Sequence, residues 1–279
     1  MEQRASPAGP WPARRRRAEQ LRERYPFAAE VLTLYLALLD VQEPVHEAAL
    51  ARPPEPDAAM RLARELLPRV LEATVAAGPA RLAEAAVGRF HSADLDDLVG
   101  RWLRGAEQSL VDRYLARAAT APVLEAMEPD ALAVLCAGEK EDDLPPQTPR
   151  QLKGGGARHC PRCGGQPQLG FFALSGEALV TGPRHLVCSR CAAEWVFPRM
   201  VCAGCGEETT ARLPVYSEAE QLPHLRIDSC ETCRRYLVVV DLRRDAAAVP
   251  AVDELAALPL DLYAKERGLG KVVPNLMGF

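Results

Sequence analysis

CPRCGGQPQLGFFALSGEALVTGPRHLVCSRCAAEWVFPRMVCAGCG, residues 160–206, followed by CETCR at 230–234, decides how this 279-residue chain is organised. The two stretches carry four CxxC pairs: Cys160 with Cys163, Cys188 with Cys191, Cys202 with Cys205, and Cys230 with Cys233. The first two pairs are separated by 24 residues, and so are the last two. Cys160 to Cys202 is 42 positions, as is Cys188 to Cys230. One unit, CxxCG-x23-CxxC, therefore occurs twice.

Metal chemistry accounts for this pattern. Two sulfurs on one tight CxxC turn can both reach an ion at about 2.3 Å, and two such turns on a hairpin supply four sulfurs in a tetrahedron. Gly164 and Gly206 close the first turn of each unit. Glycine there suits a positive φ that lets backbone N–H groups point at thiolate sulfur. A site closed by four cysteines favours a structural or one-electron role, because a catalytic zinc keeps an open position. Such a cage accepts Zn²⁺ or a single iron. The repeat favours pairing consecutive knuckles. The short gap from Cys191 to Cys202 leaves a second-with-third pairing open. Redox disulfides of the thioredoxin kind would need a βαβ pattern, which is absent.

Outward from the knuckles, residues 158–245 have a short-β texture, with expected strands at 169–174, 178–180, 186–187, 195–197, 213–216 and 236–240, broken by Gly, Pro and Ser. Upstream, AGEKEDDLPPQTPRQLKGGGA (137–157) reads as a linker. The first half is Ala- and Leu-rich and helical. Helices are expected over 14–49 with a break at Pro26, over 58–77 with a kink at Pro68, from Pro79 through Phe90, and after an N-cap at Ser92 or Asp94. Two more are expected over 106–119 and 122–136. Residues 1–12 read as disordered; after Pro250 a helix returns, and the tail 268–279 shows no obvious element.

The fold expected is α+β. A helical domain (1–136) is followed by the linker (137–157), a first knuckle-pair subdomain (158–199), a second (200–245), and a C-terminal helix and tail (246–279).

The chain is 48% apolar, enough for a sizeable core. Its net charge is -4. Residues 158–245 hold 11 arginines and no lysine against 10 acidic residues, so no basic footprint marks a nucleic-acid binder. The arginines at 14–17 are followed by mostly polar residues rather than the apolar stretch of an export signal, and read as the basic start of an amphipathic helix. No segment is apolar enough to span a bilayer. Paired cysteines without a secretion signal place the protein in the reducing cytoplasm. His159 adjoins an already complete cysteine set. His185 and His224 fall in the inter-knuckle loops, where surface or supporting roles are expected. His46 and His91 read as ordinary residues, and Cys136 as a small core residue.

The chain resembles the formate dehydrogenase accessory proteins called FdhE. RAEQLRERYPFAAEVLTLYLALLDVQ (17–42) and YLARAATAPVLEAM (114–127) look like the family's helical signatures. HCPRCG, CSRCAAEW, CAGCG and DSCETCRRYL look like its four knuckles, with Trp195 and Tyr236 in expected places. AVDELAALPLDLYAKERG (251–268), followed by Pro274 and Asn275, looks like its last helix and tail. Arg234 departs from the small residue expected after the last knuckle, and the Pro-rich start and acidic linker are atypical. The resemblance implies two rubredoxin-like, or zinc-ribbon-like, subdomains. It further implies iron bound by Cys160, Cys163, Cys188, Cys191, Cys202, Cys205, Cys230 and Cys233, with zinc as the alternative. It implies a non-enzymatic cytoplasmic maturation factor that binds the formate dehydrogenase catalytic subunit. A rubredoxin-like electron carrier and a zinc-ribbon nucleic-acid binder are the competing readings.

Overall fold

The computed structural model describes residues 11–137, 157–174, 182–276 and 278–279. Of the disorder expected over residues 1–12, residues 1–10 lie outside them, as do most of the linker 137–157 and the strand at 178–180; Trp11 and Pro12, read as disordered, instead open a helix, with Trp11 buried.

Helix α1 (Trp11–Arg24) stops before Pro26, where a 3₁₀ turn (Pro26–Ala28) leads into α2 (Ala29–Ala51). Two helices follow, α3 (Pro56–Ala77) and α4 (Ala80–Ser92). The next helix, α5 (Leu95–Arg104), is capped by Asp94, whose carboxylate accepts from the backbone N–H groups of Asp96 at 2.9 Å and Asp97 at 3.2 Å. That satisfies donors that have no partner within the helix. Ser92, the other candidate cap, instead ends α4. The last two helices of this half are α6 (Leu110–Ala126) and α7 (Pro129–Ala137).

Helix α6 corrects the expected break before Pro122. A proline in a helix removes the bond to the carbonyl four residues earlier. Here that carbonyl, on Ala118, accepts instead from Gln42 Nε2 at 2.6 Å. His46 Nδ1 donates to the Pro122 carbonyl at 3.0 Å. With polar side chains of α2 supplying these bonds, α6 runs unbroken past the proline.

The second half forms two antiparallel meanders. The first is β1 (Pro167–Phe172), β2 (Arg184–Cys188) and β3 (Glu194–Phe197). The second is β4 (Val215–Ser217), β5 (Leu225–Cys230) and β6 (Arg235–Asp241). They share one sheet, in the order β3-β2-β1-β6-β5-β4, because β1 pairs with β6 in parallel. The first strand of one meander thus meets the last strand of the other, and the repeat propagates along the sheet by translation. Helices α8 (Pro250–Asp253) and α9 (Leu258–Glu266) follow. The tail adds β7 (Gly270–Lys271), which continues β6 in parallel where β1 leaves off. Neither β5 nor β7 was expected. β5, LRIDSC, mixes charge into its apolar alternation, and β7 spans only two residues.

Side-chain alternation divides the sheet between two cores. Leu169, Phe171, Val187, Tyr236, Val238 and Val240 face one core, with α1, the outer side of α2, and α8 and α9. Leu186 and Leu237 face the other, with α3, α5, α6 and α7. The run YLVVV in β6 is buried throughout, as expected for a central strand covered on both faces. Among the described residues no helix is long and apolar enough to cross a membrane.

Candidate metal centres

Each knuckle is shaped by its backbone. In the first, Gly164 N–H donates to Cys160 O at 2.9 Å and Cys160 N–H to Gly165 O at 2.8 Å. The third repeats this, with Gly206 N–H on Cys202 O at 2.9 Å and Cys202 N–H on Glu207 O at 2.8 Å. The residue closing each turn has a positive φ: 68° at Gly164, 51° at Ala192, 83° at Gly206 and 57° at Arg234. The glycines follow the sequence reading. Ala192 and Arg234 adopt the same conformation without being glycine, so all four turns have one shape. Backbone N–H groups approach the sulfurs, from Arg162 to Cys160 at 3.4 Å, Arg190 to Cys188 at 3.4 Å and Gly204 to Cys202 at 3.3 Å. These dipoles favour thiolate.

Consecutive knuckles come together, which closes the pairing left open by the sequence. Cys160, Cys163, Cys188 and Cys191 form one group, and Cys202, Cys205, Cys230 and Cys233 the other. In the first, Cys160–Cys191, Cys163–Cys188 and Cys163–Cys191 sulfurs are 3.7, 3.4 and 3.5 Å apart. In the second, Cys202–Cys233 and Cys205–Cys230 are both 3.7 Å apart. A tetrahedron with bonds of about 2.3 Å has edges of about 3.8 Å. The sulfurs therefore fit a single Zn²⁺ or iron, and the fit does not choose between them.

The two sites sit in different surroundings. All four cysteines of the first are buried among Trp102, Leu103, Met127, Leu132 and Trp195. In the second, Cys230 is buried, Cys233 half-buried and Cys205 exposed. Glu207 braces the second site: its carboxylate accepts from Thr232 Oγ1 at 2.6 Å, linking the third knuckle to the fourth. That bond, followed by the backbone N–H of Thr209, holds its carboxyl down at about 2. In the first site, Cys163 is driven strongly towards thiolate by hydrogen bonds, first from Cys136 and then from its three partners. Cys136, read as a small core residue, is half-buried and packs against the core that encloses the first site. It lies 24 positions upstream of the first knuckle, and nothing in its local sequence signals this.

The histidines differ from expectation. His185 lies on β2 rather than in a loop and stacks on Phe171 at 4.9 Å. His224 is buried, its Nε2 2.8 Å from Asp253 Oδ1. The donors of His224, Asp245 and Asp253 come close enough to hold a cation. The Arg17 guanidinium already fills that role, bonding Asp253 at 2.9 Å and Asp245 at 2.6 Å. The arginine run is thus more than a basic helix start. Arg14 and Arg17 are buried, and Arg14 pairs with Glu125 at 2.9 Å. A second buried network centres on Asp261, which accepts from Tyr236 Oη at 2.8 Å, Lys271 Nζ at 3.1 Å and Asn275 Nδ2 at 3.1 Å. It ties α9 and the tail to β6.

Comparison with known proteins gives one consistent match. Residues 159–199 match the family model described as the FdhE central domain, and residues 200–277 the FdhE C-terminal domain. The chain is 36% identical over 121 residues to an FdhE homolog of Aquifex aeolicus, covering 43% of this chain and 42% of that protein. It is 36% identical over 131 residues to an FdhE homolog of Pseudomonas putida, covering 46% and 41%. The aligned part thus spans about two-fifths of these relatives. The crystal structure of the FdhE protein from Pseudomonas aeruginosa matches with a TM-score of 0.63 at 25% identity, covering 96% of this chain and 94% of that one.

Proposed function

We propose that this chain, whose residues 159–277 match the FdhE central and C-terminal domain models and whose fold matches an FdhE crystal structure, is a cytoplasmic, non-enzymatic factor of the FdhE family that matures formate dehydrogenase by binding its catalytic subunit. The eight paired cysteines are the metal ligands, in two mononuclear sites. The observation that carries this reading is the closure of both sites. Every corner of each sulfur tetrahedron is a cysteine, which leaves no position where a substrate could meet the ion and so favours a binding role over catalysis. Eight thiols kept for metal also suit a reducing compartment.

Four thiolates on one ion make a net negative centre whose charge differs by one between ferric and ferrous iron. Bound iron would let docking respond to redox state, whereas zinc would make the sites purely structural. Two measurements test the reading. The protein purified without added metal is expected to carry two ions per chain by elemental analysis. Iron would show as a red colour that bleaches on reduction. Affinity capture with the tagged chain is expected to retain the formate dehydrogenase catalytic subunit. A strain lacking the protein is expected to make that subunit in inactive form. Full formate dehydrogenase activity in such a strain would overturn the proposal.

A further inference from the structure

We propose that the two sites exchange their ions by different routes: the second exchanges with solution in the folded protein, whereas the first exchanges only when the helical half opens. This rests on the reading of the eight cysteines as metal ligands.

Access to the sulfurs carries the inference. The cysteines of the first site are only 2–4% exposed. Their cover is the helical core, with Trp102 and Leu103 of α5, Met127 at the end of α6 and Leu132 of α7 in one cluster with them. That cover is fastened to the knuckles. Arg162 Nη2 donates to the Met127 carbonyl at 2.8 Å. Arg190 lies over the Trp102 ring, 5.8 Å from its centroid, and donates to Cys163 O at 3.3 Å. Gly105, which ends α5, sits so close to Arg190 that a β-carbon there would come within 2.6 Å of its guanidinium. An incoming ligand cannot reach an ion at this site until α5 and the end of α6 lift away. Such local opening has its own free-energy cost.

Among the described residues the second site has no such cover. Val201, Ala203 and Val272 pack on its inner side, while Cys205 is exposed and Cys233 half-buried. A chelator or a solution thiol can approach the ion along the Cys205–Cys233 edge. It forms its bond to the ion as the Cys205 thiolate leaves, and the fold need not open. The first ion is therefore captured as the helices close during folding, and the second can be loaded, lost or replaced afterwards.

The test uses the full chain loaded with two zinc ions and an excess of the chromogenic chelator 4-(2-pyridylazo)resorcinol. Two release phases of one zinc each are expected, the faster by at least about tenfold. Urea below the unfolding transition should accelerate only the slow phase. Cys205→Ser should abolish the fast phase and leave the slow one. Trp102→Ala should accelerate the slow phase alone; if that variant does not fold, the urea series carries the same information. Release of both ions at one rate, or a fast phase that survives Cys205→Ser, overturns this inference and leaves the ligand assignment standing. A reduced chain that takes up no zinc overturns both.

Discussion

Gly165 occupies a position where a side chain has no room. A β-carbon there would fall 2.8 Å from Cys188 Sγ and 3.2 Å from Cys163 Sγ. At Gly204, inside the third knuckle, the same addition meets Cys233 Sγ at 3.5 Å and Cys202 Sγ at 3.6 Å, which is ordinary contact. Gly165→Ala is therefore expected to cost about 1–3 kcal/mol and to weaken or empty the first site, whereas Gly204→Ala keeps both ions. Metal content and thermal unfolding of the two variants decide this; equal behaviour would mean that the first site is looser than its geometry. Ala192 gives a second prediction at this scale. Its φ of 51° belongs to glycine's range, so Ala192→Gly should raise stability by about 0.5–1 kcal/mol, read as a shift in the urea midpoint. All eight cysteines and both turn glycines were legible in the sequence because spacing alone reports them. The Gly165 constraint was not, because it arises from a sulfur 23 residues away in the chain.

Elements whose stability is local were read well, and those completed by a neighbour were misread. The Asp94 cap and the Pro26 break follow from residues within a few positions. Pro122 misleads because the group that rescues its helix, Gln42, lies 76 positions from Ala118. β5 carries its own signal, buried Leu225 and Ile227 alternating with half-buried Arg226 and Asp228, but the run is short, and the partner of Asp228, the buried Arg184 of β2 at 2.7 Å, lies 44 positions away. The Gln42 contact can be tested directly. Gln42→Leu keeps the bulk but strands the Ala118 carbonyl in the core, and a buried acceptor without a partner costs about 1–3 kcal/mol. Loss of that size in chemical denaturation, with both metal ions retained, is the expected outcome. An unchanged midpoint would show that α6 tolerates the open carbonyl and that its continuity past Pro122 comes from packing alone.

At the scale of the whole molecule, the chain is closed by α1. Arg17 reaches Asp253 and Asp245, residues more than 200 positions away, while Arg14 holds Glu125 of α6 and Arg15 holds Asp40 of α2. One short helix thus joins the helical half to the segment beyond the sheet. Four consecutive arginines could be recognised in the sequence, but their partners are single carboxylates spread along the chain, with no pattern to identify them. Arg17 and Asp253 are both buried, so removing the guanidinium leaves the carboxylate with only His224 and the Val249 N–H as partners, and Arg17→Met is expected to cost about 3–5 kcal/mol near neutral pH. The pH dependence separates an ionic clasp from simple packing. Burial works against ionisation of Asp245, but its bond to Arg17 outweighs that and holds its carboxyl below the usual range. A carboxyl with a depressed folded pKa adds stability that is complete above its unfolded value of about 4 and is lost as pH falls below it. The stability gap between the native protein and Arg17→Met should therefore narrow on acidification below about pH 4. Protonation of the cysteines and loss of metal affect both proteins, so they largely cancel in that difference. Urea midpoints of the pair across this range are the measurement. A gap that stays constant as the carboxylates protonate would mean that Arg17 holds the two halves together through its buried stem and not through its charge.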